Sequence, residues 1–103
     1  MPAKWTESET LQCVLLYQHM LNLERSNKLG PKRSAGQTSK KKLVRDFMTD
    51  HSPEGRTHGS VEMKLMNITA AREELGLPTI AGYKPLPNGA GLLKDLIGEA
   101  NNG

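Results

Sequence analysis

Lys64 and Asn67 stand three positions apart inside residues 58–83, HGSVEMKLMNITAAREELGLPTIAGY. On a helix that spacing sets an ammonium and a carboxamide one turn apart on the same side. Both are base-reading groups: Asn is suited to adenine and Lys to guanine. Just upstream, Arg56 and His58 add cationic and imidazole groups, and Gly59 and Ser60 mark a helix start, whose unpaired N–H groups and dipole favour an anion. Such a corner is suited to hold a phosphate and read a base beside it. Asn67 has a second reading, in which a buried amide pins the G-Y-K-P segment of residues 82–85 by hydrogen bonds, and the sequence leaves the two open.

Other chemistries find less support. Glu62-Met63-Lys64 with Asp50 upstream mimics the acidic-x-Lys element of nucleases, in which carboxylates hold a metal and a lysine assists water. That element belongs on strands, and here it falls in the most helical stretch of the chain. One cysteine and the scattered His19, His51 and His58 do not make a zinc site. Ser34, Ser39 and Ser60 have no evident base, and Gly30, Gly36, Gly55 and Gly59 form no phosphate-loop pattern. No catalytic residue, metal or cofactor is expected.

The elements that must position these groups read as four helices. The central one carries Val61, Leu65, Ile68 and Leu75 on one stripe, with Met63, Met66 and Ala70 nearly opposite, so two layers are expected to cover it. Ser60 is its expected N-cap, Glu62 lies in its expected first turn, and Gly76 with Pro78 ends it. A first helix starts at Thr6, where Thr6 and Glu9 have capping-box spacing after Trp5, and runs to about residue 25 with little polar face. A second, capped by Thr38 or Ser39, has the stripe Leu43, Val44, Phe47 and Met48 opposite Lys42, Arg45 and Thr49. Between them, residues 26–39 are a loop. A Pro/Gly-rich segment follows the central helix, anchored by Ile80 and Leu86 with a turn at Pro87-Asn88-Gly89, and is expected to be ordered. Residues 91–100 form the last helix, through Leu92, Leu93, Leu96 and Ile97.

With 103 residues the chain is long enough for one core and too short for two. Only 36% of it is apolar and aromatics are few, which suits small packed helices built on Leu, Met, Val and Ile. Cys13 sits in an apolar pattern and reads as a small buried hydrophobe. No bilayer-spanning run is present and the start is polar rather than a signal peptide, so the chain reads as cytoplasmic. The polar NNG ending reads as a linker, which makes this the expected front module of a longer protein.

The net charge of +3 is modest, but residues 25–45 hold eight basic side chains and no acidic one. Lys32, Arg33 and Ser34 lie in the loop, and Lys40, Lys41 and Lys42 fill the first turn of the second helix, with Arg45 just beyond. Lysines in a first turn oppose the helix dipole, at roughly 0.3 to 1 kcal/mol each. Local stability does not ask for them, so an anion outside the protein is the expected reason.

The second and third helices have the order and sign of a helix-turn-helix pair, although the connection exceeds that motif's three to four residues. Arg56 to Ala70, R-T-H-G-S-V-E-M-K-L-M-N-I-T-A, followed by G-Y-K-P and Asn88, resembles a helical N-terminal module of bacterial modification-dependent restriction endonucleases. Such modules precede an HNH nuclease domain and are thought to bind DNA. The resemblance implies double-stranded DNA as partner, a preference for modified cytosine, a C-terminal nuclease domain in the parent chain and a role in phage defence. It places Arg56, His58, Ser60, Lys64 and Asn67 at the DNA, with Gly59, Tyr83 and Lys84 beside them. The HNH histidines are absent, so cleavage is not expected of this chain. We therefore expect a small all-α domain of four helices, spanning residues 1–103, that binds DNA. The alternative is a protein-interaction module whose basic surface meets an acidic partner.

Overall fold

Where the flanking residues are described, helix ends lie at side chains or a left-handed residue that satisfy backbone groups the helix leaves unpaired. The computed structural model describes residues 5–30, 37–51, 57–86 and 91–102, which form α1 (Glu7–Arg25), α2 (Lys40–His51), α3 (His58–Glu74) and α4 (Gly91–Asn102). The fold is all-α. Thr6 caps α1 in a full capping box, with Glu9 N–H donating to Thr6 Oγ1 and Thr6 N–H to Glu9 Oε1, each at 3.0 Å. Both α1 and α3 end in the same motif. Asn27 (φ 58°) follows α1 and Gly76 (φ 72°) follows α3, and the next N–H, of Lys28 or Leu77, returns to Leu23 O or Arg72 O. Asn and Gly are the residues that tolerate that left-handed position. Ser39 is the residue that caps α2, its Oγ accepting from Lys42 N–H at 3.1 Å. The last helix runs two residues past the expected end, through Asn102.

The start of α3 departs from expectation. Thr57, not Ser60, is the N-cap, and Ser60 is the N3 partner in a reciprocal pair of bonds at 3.0 and 3.1 Å. Hydroxyls from both residues fill the roles that Thr and Glu share in α1. With the start moved three residues earlier, Glu62 falls beyond the first turn, which holds no acidic residue.

The helix α3 packs against each of the other three. Val61, Leu65 and Ile68 are fully buried among Val14 and Tyr17 of α1, Val44 and Phe47 of α2, and Leu96 and Ile97 of α4. Each such side chain contributes about 1.5 to 3 kcal/mol by leaving water. Of the stripe expected opposite them, Ala70 is buried and Met66 is partly buried against the core, but the widest covered face lies elsewhere. At 100° per residue, Asn67, Lys64, Ile68, Val61, Arg72, Leu65 and Thr69 fill one continuous sector about 200° wide, and all seven are buried. Met63 and Leu75, expected inside, are 53% and 43% exposed. Polar side chains occupy the covered sector in their place.

A relay of hydrogen bonds makes that burial tolerable. Ile80 N–H donates to Tyr17 Oη at 2.9 Å, Tyr17 Oη lies 2.9 Å from Thr69 Oγ1, and Thr69 Oγ1 donates to Leu65 O at 3.3 Å. Because a carbonyl can only accept, Thr69 gives its proton to Leu65, so Tyr17 must be the donor to Thr69. Arg72 reaches the same segment, Nε donating to Pro78 O at 2.7 Å with its guanidinium 5.5 Å above the Tyr17 ring. Desolvation draws the Arg72 pKa below its ordinary value, Tyr17 opposing and Arg25 reinforcing the shift. Residues 77–80 are thereby tied to α1 and α3. Among the described residues no helix is long and apolar enough to cross a membrane.

Candidate nucleic-acid interface

Backbone pairing brings the two described flanks of the basic stretch together at one end of the bundle. Gly30 N–H donates to Thr38 O at 3.1 Å and Thr38 N–H to Lys28 O at 2.8 Å, which holds the end of α1 against the start of α2. Residues 31–36 between them lie outside the described residues, and with them the expected Lys32, Arg33 and Ser34. The turn at Ala81 and Gly82 docks on the same corner. Lys40 Nζ donates to Ala81 O at 2.8 Å, and Ala81 N–H donates to Glu24 Oε2 at 3.1 Å. Gly82 is required there, since its φ is 95° and an added Cβ would collide with Lys40 Nζ. These groups line a hollow of about 360 Å³ between Glu24, Leu29, Lys40 and Gly82.

The three lysines of α2 have three different situations. Lys40 is half-buried, and its ammonium also lies 4.9 Å from the centre of the Tyr83 ring. Lys42 is paired with Asp46 at 2.7 Å, both side chains being half exposed. Lys41 is exposed. So are Arg45, Arg25 and Lys28, and among the described residues none of these four has a salt-bridge partner. Lys84 is exposed as well, beside Tyr83.

At the start of α3, Gly59 is exposed and Ser60 is engaged in the capping box. His58 Nε2 lies 3.5 Å from Glu62 Oε1, a contact of ion-pair rather than hydrogen-bond length, and that nitrogen is buried without a hydrogen-bond partner. Tyr83 Oη is likewise buried and unpaired. Burial first, and the Glu62 carboxylate second, push the Tyr83 phenol well above the usual tyrosine range. The phenol is therefore a neutral hydrogen-bonding group, and a buried one left unpaired costs on the order of 1 to 3 kcal/mol. Arg56 lies outside the described residues.

Lys64 and Asn67 do not project from this corner. Lys64 is 8% exposed with its ammonium 5.1 Å from the centre of the Trp5 ring, and Asn67 is 9% exposed. Asn67 Nδ2 donates to Leu86 O at 2.6 Å while Leu86 N–H donates to Met66 O at 3.1 Å, so the amide pins the segment after G-Y-K-P. Of the two readings that the sequence left open for Asn67, this is the loop-pinning arrangement. Glu62, which is not among the site residues the sequence points to, neighbours both His58 and Tyr83 at this corner. The i, i+4 spacing of His58 and Glu62 was the available signal. Among the described residues, no group of three His, Cys, Asp or Glu is placed to share a metal ion. No protein-family model, curated protein or solved structure matches the chain.

Proposed function

We propose that this chain binds double-stranded DNA through the end of the bundle where α1 stops and α2 starts. The carrying observation is that Arg25, Lys28, Lys41 and Arg45 are exposed without a salt bridge among the described residues, in a stretch of eight cations and no anions. Phosphates supply the missing counter-charge. Contacts of this kind give position and affinity without sequence choice. Tyr83, 7% exposed, supports that end through the ammonium of Lys40 rather than by facing a ligand. Lys64 and Asn67, turned into the protein, are assigned to support and not to base reading. Following the resemblance of residues 56–70 and G-Y-K-P, the chain serves as the targeting module of a modification-dependent restriction enzyme, with cleavage left to a separate nuclease domain.

Fluorescence anisotropy with a labelled 20-base-pair duplex tests this. Log affinity is expected to fall linearly with log salt, with a slope of about −0.9 per phosphate neutralised. Absence of duplex binding at low salt overturns the proposal. Comparing methylated with plain duplexes then tests the preference for modified cytosine, and equal affinities remove it.

A further inference from the structure

A groove runs between α1 and α2 on a side of α2 turned away from Lys41 and Arg45. It has a volume of about 300 Å³ and is floored by Leu15, Leu16, Leu43 and Phe47, with Asp46 and Asp50 on its α2 edge. Gln12 and His19 form the α1 edge. Leu15 is 43% exposed there, whereas Leu16 beside it is buried. At 100° per residue, the mean direction of Asp46 and Asp50 on α2 lies about 140° from that of Lys41 and Arg45. The helix thus sets Lys41 and Arg45 to one side and the two carboxylates to the other, with Lys42, paired to Asp46, between them.

From this arrangement we infer that the groove docks a short amphipathic helix of a partner protein, carrying apolar anchors flanked by Lys or Arg. Charge complementarity selects that occupant. Asp46 and Asp50 are one turn apart, so cations one turn apart on a second helix can meet both. On α2 the apolar floor runs from Leu43 to Phe47, about one turn or roughly 6 Å, which matches two leucine-sized anchors at i and i+4 on the incoming helix. Asp46 already has Lys42 as a neighbour, but with side chains 55% and 51% exposed that pair is solvent-screened and readily exchanged for a partner's cation. Duplex DNA is repelled by the same carboxylates. The inference concerns a different surface from the basic end and stands independently of DNA binding there.

The probe is a 14-residue helical peptide of Leu, Ala and Lys with Leu at i and i+4 and Lys one turn apart, set against the same peptide with Glu for Lys. Amide chemical shifts of the isotope-labelled full chain and calorimetry are the measurements. Expected are shifts centred on Gln12, Leu15, His19, Leu43, Asp46 and Asp50, and an affinity at least tenfold higher for the Lys peptide. Leu15→Glu and Asp50→Lys are each expected to weaken binding at least tenfold. Both positions are exposed, so the melting temperature should be retained, and Asp50→Asn gives a milder second variant expected to weaken binding severalfold. Undetectable binding, equal affinity for the Glu peptide, shifts centred elsewhere or unchanged affinity in the variants overturns the inference. So does concentration-dependent self-association abolished by Leu15→Glu, since the occupant is then a second copy of this chain.

Discussion

Lysines appear on α2 and on α3, and the two helices use them in opposite ways. On α2, Lys41 and Arg45 stand in water away from the apolar stripe of Val44 and Phe47. On α3, Lys64 lies inside, its stem in the covered sector and its ammonium over the Trp5 ring. The difference comes from what surrounds each helix. An edge helix with one apolar stripe has solvent to spare for its polar residues, whereas a helix packed on three others must bring some of them indoors. Asn67, Thr69 and Arg72 share that fate, and each finds a carbonyl: Leu86, Leu65 and Pro78 respectively. The exposed, unpaired Lys41 and Arg45 of α2 are therefore available to a ligand, and the buried Lys64 of α3 is part of the fold.

The strongest way to break this contrast is at the centre of the α3 network. Tyr17→Phe keeps the ring under Arg72 but strands Ile80 N–H and removes the bond to Thr69, two buried losses at once. A cost of about 2 to 3 kcal/mol is expected. Thermal unfolding should then shift down by roughly 10 °C or more, at about 4 to 8 °C per kcal/mol for a domain of this size. An unchanged melting temperature would mean that the relay contributes nothing.

Asn67→Ala sharpens the same point with a smaller expected effect. Loss of the amide leaves Leu86 O without its 2.6 Å donor, at about 1 to 2 kcal/mol. Because that residue is assigned to support, all duplexes should weaken together as the protein loses stability. Loss of discrimination at one base with an unaltered melting temperature would instead restore a reading role.

How much of this was legible beforehand depended on whether the deciding partner was local. Caps and stops repeat short-range patterns, so Thr6 with Glu9, Gly76 before Pro78 and the apolar stripe of α2 were readable from spacing alone. Thr57 escapes the spacing pattern because its N3 partner is Ser60, where the familiar box has Glu or Gln. Helical periodicity marks Lys64 as a projecting polar residue and leaves Asn67 open between projecting and pinning the G-Y-K-P segment. What turns them inward is Trp5, 59 positions before Lys64, and Leu86, 19 positions after Asn67. No periodicity carries such distant partners. The basic stretch needed none, since a run of like charges has nowhere to go but the surface.

On α2, the double substitution Lys41→Gln with Arg45→Gln should weaken every duplex alike. If each cation neutralises one phosphate, the salt slope should become shallower by about one unit per residue removed. Melting should not fall, since neither side chain has a salt-bridge partner among the described residues, and should rise only by the few degrees that removing Lys41 from the dipole's positive end provides. An unchanged slope would reduce this face of α2 to solvated charge.

The smallest expected effect is the most discriminating, because it sets neighbouring residues against each other. Lys40 and Lys41 both oppose the dipole of α2 from its first turn, a penalty of roughly 0.3 to 1 kcal/mol each at low salt. For Lys41 nothing described offsets it, so Lys41→Gln should raise the melting temperature by a few degrees. Lys40 has two compensations, the 2.8 Å bond to Ala81 O and the Tyr83 ring at 4.9 Å. A hydrogen bond from a charged donor and a cation–ring contact are together worth more than the dipole term. Lys40→Gln should therefore lower the melting temperature, by about 1 kcal/mol in stability, and loosen the turn at Gly82. Opposite signs for adjacent lysines would establish that one fastens the turn while the other is left for an external anion. Equal signs would show that the contacts of Lys40 do not outweigh the dipole, and the distinction between a fold cation and a ligand cation at this corner would fail.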